Sequence, residues 1–279
     1  MDDTGTTRKA KKSPLGRVTP PEVKVYPSPD DVAWAGARQF VELAWQAVAR
    51  SGIFNVALAG GNTPRAMYRL LATHEFRTQV DWPKVQIFWG DERCVPPEDP
   101  ESNYGMARRE LLIRVSVPAV NVHRMEAERS DLGRAAQDYE ELMRRYLPLN
   151  ARGFPRFDLI LLGMGAEGHT ASLFPGEQGM AETTRWVSTP EVPKLKAHRM
   201  TLTLPVLNAA HFVLFSVCGT EKAAALRDVL EGTNDPPLPA QMVTAPEGQR
   251  LFLVDRAATA LLDAWWKGPG TRAPAEGPS

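Results

Sequence analysis

The run FDLILLGMGAEGHTASLFPG, Phe157 to Gly176, decides how the rest of the chain is read. Its first six residues form a short, largely apolar run that stops at glycine, the mark of a buried strand. Gly163, Gly165 and Gly168 then fit G-x-G-x-x-G, a turn that can cradle a dinucleotide pyrophosphate, and His169 follows directly. Two readings compete. Either the glycines hold a pyrophosphate, or they let some other ligand approach a working histidine. The first fits poorly, because a parallel crossover needs a dozen residues or more, yet Pro175 and Gly176 stop any helix a turn or two after His169. Nor does an acidic residue close a following apolar strand about 20 residues further on.

The same strand-then-glycine pattern recurs on both sides. Ile53–Ala59 runs into Gly60-Gly61-Asn62-Thr63, Val85–Trp89 into Gly90-Asp91-Glu92-Arg93, and His211–Val217 into Cys218-Gly219-Thr220-Glu221-Lys222. Strands are also expected at Val23–Tyr26, Thr201–Leu204 and Leu251–Asp255. Apolar residues at helical spacing (Ala33, Ala37, Phe40, Val41, Ala44, Val48) predict a long amphipathic helix. Further helices are expected from Thr63-Pro64 onward, over Tyr104–Arg114, Leu132–Tyr146 and about Glu221–Leu230, and at the close of the domain. Alternation of this kind predicts an α/β fold: a Rossmann-like, mostly parallel sheet with helices on both faces and room for a small additional lobe. In such sheets ligands bind beyond the carboxyl ends of the strands, so four polar loops there predict one shared site.

The chain has 279 residues, 43% of them hydrophobic, enough for a sizeable core. Its 33 basic and 33 acidic residues cancel, which offers no general electrostatic case for nucleic acid or an anionic membrane. No apolar run approaches a membrane span, and Asp2 and Asp3 do not fit an acid-poor mitochondrial leader. Cys94 and Cys218 have neither metal-type nor redox-type spacing, so a cytoplasmic setting is the expectation. Residues 1–20, with a basic cluster (Arg8, Lys9, Lys11, Lys12, Arg17), and the Pro/Gly-rich residues 268–279 are expected to be disordered tails, the basic one a solvated extension. They flank a single domain over 21–267.

Each loop has a chemical and a plain reading. His169 is a general base or an ordinary histidine. A helix starting there would favour the neutral ring, while Glu167 beside it favours the charged form. Gly60-Gly61-Asn62-Thr63-Pro64 offers free N–H groups and a hydroxyl to an anion, or is a tight turn with a threonine cap; it lacks the lysine of a P-loop. Asp91-Glu92-Arg93 is a set of working charges or a surface loop. Lys222 near a helix start opposes the helix dipole unless an anion lies between them, and Arg199 is a second candidate cation.

Together these stretches resemble the 6-phosphogluconolactonase family. The likeness runs through GGNTP, WGDER with the following SNYGMARREL (Ser102–Leu111), GMGAEGHTASLFPG, TLTLPVLNAA (Thr201–Ala210) and the Gly219–Lys222 turn, in the family's order, over most of residues 22–265. HTASLFPG is quite specific, whereas GGxTP and the lysine turn are shared with a wider sugar-phosphate superfamily. One departure is visible: Glu167 stands where the family usually has aspartate. The resemblance implies hydrolysis of 6-phosphogluconolactone to 6-phosphogluconate in the oxidative pentose phosphate pathway, with no metal or cofactor and as a monomer. It implies His169 as the base, Asp91 and Glu167 as its helpers, and Gly60, Gly61, Thr63, Arg199 and Lys222 around the phosphate. Arg93 would serve phosphate or oxyanion. Glucosamine-6-phosphate deaminases and related isomerases share several of these features but carry a carboxylate soon after the histidine, where this chain reads Ser172-Leu173-Phe174-Pro175. A sugar-phosphate sensor of a transcription regulator would instead need a helix-turn-helix segment, for which residues 1–20 are too short and polar.

Overall fold

The computed structural model describes residues 20–192, 197–232 and 234–263. The two expected tails, apart from Pro20, and the last residues of the expected domain lie outside these. Six strands form the main sheet: β1 (Glu22–Tyr26), β2 (Phe54–Leu58), β3 (Val85–Trp89), β5 (Leu159–Leu162), β9 (Phe212–Val217) and β10 (Gln249–Asp255). They lie in the order β1-β10-β9-β5-β2-β3, and every neighbouring pair is parallel. All residues of β2, β3 and β5 are buried, as they must be when both faces of a parallel sheet are covered.

The 23-residue helix α1 (Pro29–Ser51) follows β1. Ser28 caps it by accepting the N–H of Asp31, and Pro29 presets its first turn. Its buried stripe of Ala33, Ala37, Phe40, Ala44 and Ala47 lies against β10, β9 and β2. α2 (Asn62–Leu71), α3 (His74–Arg77), α4 (Asn103–Glu110) and α5 (Leu132–Tyr146) follow, then α6 (Leu204–Ala209), α7 (Ala223–Glu231) and α8 (Pro239–Met242).

The additional lobe is a small antiparallel sheet. β4 (Asp91–Arg93) pairs with β8 (Ala197–Leu202), which also pairs with β6 (Val187–Ser188) and β7 (Glu191–Val192). Thus Asp91-Glu92-Arg93 is a strand rather than a surface loop. The strand expected at Thr201–Leu204 starts earlier, at Ala197, and gives way to α6 at Leu204 because Pro205 fits the first turn of a helix. Where a closing helix is expected, residues 256–262 form a run of turns, and residues 264–267 of that stretch lie outside the described residues.

Chain order fixes where the site falls. From β2 the chain crosses to β3 on one side, whereas β5, on the other side of β2, leads onward to β9 and β10. The connections leaving β2 and β5 therefore diverge, and the crevice at this switch point lies between the glycine turn after β2 and the His169 turn after β5.

Candidate active site

Two buried tyrosines set the rims of the crevice. Tyr68 of α2 donates its hydroxyl to the carbonyl of Ala59 (2.8 Å) and accepts the N–H of the same residue (3.0 Å), anchoring the chain just before Gly60. Tyr139 of α5 does the same for Trp89, accepting its N–H at 2.9 Å just before Gly90 and Asp91. Burial drives both phenols well above their ordinary pKa, so they act as neutral donor–acceptor pins.

Beyond these pins lies a cavity of about 190 Å³ lined by Gly60, Gly61, Asp91, Arg93, His169 and Lys222, with Asn103 and the Gly163–Gly165 backbone among its other walls. Six of the residues singled out from sequence thus share one cleft. Glu167 belongs to it through His169: its Oε2 lies 3.2 Å from the ring Nδ1, so the longer arm of glutamate reaches the imidazole. Thr63 and Arg199 stand off the cleft wall. The Thr63 hydroxyl meets the thiol of Cys218, and α2 is capped at Gly61 without a side-chain bond, so the expected threonine cap is not formed. Arg199 lies in register with Arg93 across β4 and β8, and lines a neighbouring cavity beside Cys94. Burial, then the adjacent Arg93, pulls the Arg199 pKa below its usual value.

The His169 turn differs from expectation. No helix begins there: Gly165 accepts from the N–H of Gly168, its own N–H donates to the carbonyl of His169, and Thr170 and Leu173 close a second small loop. Position comes instead from packing. The imidazole stacks on Phe174 at 4.4 Å between centroids, and its Nδ1 is buried. His169 itself lines the cleft. Gly165 makes this possible, since a Cβ there would lie 2.0 Å from Nδ1 and 2.6 Å from the Glu167 Oε2.

The acidic strand divides its labour in a way the sequence did not reveal. Glu92 is buried and accepts the N–H groups of Arg93, Asn103 and Tyr104 and the hydroxyl of Ser102, so it caps the start of α4. Burial raises its pKa despite these donors. Asp91 faces the cleft, holding Ser172 and Asn103 as partners. Arg93 donates to the carbonyl of Glu101.

A parallel α/β sheet with glycine N–H groups, cations and one histidine at its switch point defines a protein that takes a small phosphorylated ligand. Residues 27–253 match the family described as glucosamine-6-phosphate isomerases/6-phosphogluconolactonase, and the chain belongs to that family. It is 39% identical over 214 residues to the 6-phosphogluconolactonase of Synechocystis, covering 76% of this chain and 86% of that one. It is 34% identical over 259 residues to a probable 6-phosphogluconolactonase of Arabidopsis thaliana, covering 89% and 98%. Among solved structures, the 6-phosphogluconolactonase of Trypanosoma brucei superposes with a TM-score of 0.80 at 30% identity, covering 87% of this chain and 99% of that one. A monomeric glucosamine-6-phosphate deaminase (TM-score 0.72, 20% identity) shares the fold.

Proposed function

We propose that this chain hydrolyses 6-phosphogluconolactone to 6-phosphogluconate with His169 as general base. The observation that carries the base assignment is the single imidazole among the residues lining the cleft, which shares its wall with Asp91, Arg93 and Lys222 and has its Nδ1 buried beside Glu167. Nε2 takes a proton from water as the oxygen attacks the lactone carbonyl. The tetrahedral intermediate then collapses, the ring C–O bond breaks, and the imidazolium returns the proton to the departing oxygen. Glu167 orients the ring from the Nδ1 side, and Asp91 orients the water.

The phosphate belongs on the N–H groups of Gly60 and Gly61, with Lys222 and Arg93 supplying charge. Arg93 is assigned to phosphate because it and Arg199 crowd one another across β4 and β8, and a dianion relieves that repulsion. Binding energy gathered there places the carbonyl near the base. We read the protein as acting alone, as a monomer, and two unpaired cysteines support a cytoplasmic setting.

The test is His169→Ala, with 6-phosphogluconate binding as the control for folding. Turnover should fall by about 10²-fold or more with product affinity kept. Unchanged turnover in a variant that still binds product would remove His169 as the base.

A further inference from the structure

Asp91 is the cleft carboxylate, and two residues outside the roles assigned so far hold it from opposite sides. The hydroxyl of Ser172 donates to Oδ2 at 2.7 Å. The side-chain amide of Asn103 donates to the Asp91 carbonyl at 2.9 Å and lies 3.3 Å from Oδ1. Ser172, Asn103 and Asp91 are all buried, so these donors are not exchanged with bulk water. Ser172 is itself tethered, its N–H donating to the Thr201 hydroxyl on β8, the residue paired with Asp91 in the small sheet. Asn103 is held from its own backbone by Glu92.

With its amide nitrogen committed to Asp91, Asn103 must turn its oxygen toward the glycine turn. A Cβ on Gly60 would sit 1.8 Å from that oxygen. Asn103 therefore spans the cleft floor between the phosphate turn and the carboxylate, and Gly60 is glycine because the amide occupies the space beside it. The two donors engage the two oxygens of the Asp91 carboxylate separately and so fix its plane.

We propose that Ser172 and Asn103 are positioning residues for the reaction, Ser172 by aiming the Asp91 carboxylate and Asn103 by linking that carboxylate to the phosphate turn at Gly60. The proposal rests on the lactonase reading above. It also accounts for the residue found soon after the histidine, whose hydroxyl serves Asp91.

A double-mutant cycle on the full chain tests it, with 6-phosphogluconate affinity measured by calorimetry alongside kcat and KM. Ser172→Ala should lower kcat about tenfold or more, the scale of one hydrogen bond to a charged group, while KM and product affinity move less than about twofold. Combined with Asp91→Asn, it should cost nothing beyond Asp91→Asn alone. Asn103→Ala should lower kcat and also raise KM, since it touches both ends of the site. Full kcat in Ser172→Ala, or losses that multiply independently in the double variant, would overturn the positioning role. Loss of product binding in Ser172→Ala would assign Ser172 to structural upkeep and overturn it too. Absence of turnover by the unaltered protein would instead sink the lactonase reading itself, so the two failures are distinct.

Discussion

Gly165→Ala isolates the geometry of the histidine from its chemistry. The backbone at Gly165 is in a region open to alanine, so the substitution carries no conformational penalty and reduces the freedom of the unfolded chain. The added methyl would nevertheless lie 2.0 Å from Nδ1 and 2.3 Å from Cε1 of His169, against an ordinary contact distance of 3.4 Å or more. The imidazole must therefore retreat by roughly 1 Å or more, and a displacement of that size costs about 10² in rate. The retreat itself is cheap, because the ring and the Glu167 carboxylate beside its Nδ1 are both partly exposed and can shift together along the face of Phe174. The expected result is a kcat lowered about 100-fold, KM within about twofold, and a melting temperature within a few degrees of the parent. Lactone opening followed by stopped-flow, with thermal unfolding in parallel, reads all three. A well-folded Gly165→Ala protein with full kcat would refute the claim that this turn fixes the base.

Other consequences are as direct. Lys222→Ala should raise KM more than it lowers kcat, because charge on the remote phosphate is bound equally in ground and transition states; initial-rate kinetics decide this. Tyr139→Phe leaves the Trp89 N–H buried without its 2.9 Å partner and should cost about 1–3 kcal/mol in urea unfolding. His123 carries a pH signature. Its ring packs on Phe88 and Tyr146, and burial pushes its pKa from 6.5 down to about 4. The folded state thus favours the neutral ring while the unfolded chain binds the proton, so this contribution is intact above pH 6.5 and lost as pH falls toward 4. The loss should reach about 2–3 kcal/mol, and it should vanish from the pH dependence of His123→Gln, which still offers a donor to Gln86.

Much of this architecture was legible because buried parallel strands leave an unambiguous trace. Val85–Trp89 and Phe212–Val217 are apolar runs ended by a polar or glycine-rich turn, and their loops meet because sheet topology brings strand ends together. What escaped was short-range in sequence but long-range in space. β4 is three charged residues with no strand signature, and it exists because β8, more than 100 residues later, pairs with it. For the same reason Glu92 read as a candidate charge in a loop, although its role is to cap α4. Ser172 and Asn103 lie inside stretches that carry the family resemblance, but only folding shows that both end on Asp91. The helix expected after His169 failed because Gly165 and Gly168 form a tight turn whose N–H groups are satisfied locally. Thr63 sits where a cap is plausible by sequence, yet the cap falls two residues earlier, at Gly61, and the Thr63 hydroxyl goes to Cys218.

The measurement that bears most directly on the central claim is the opening of freshly generated 6-phosphoglucono-δ-lactone, followed by NMR or stopped-flow against the spontaneous reaction in the same buffer. Strong acceleration is predicted, persisting in EDTA, depending on His169, and leaving glucosamine 6-phosphate untouched. Opening at the spontaneous rate while the protein binds 6-phosphogluconate tightly would contradict the lactonase assignment and leave a sugar-phosphate binder in its place.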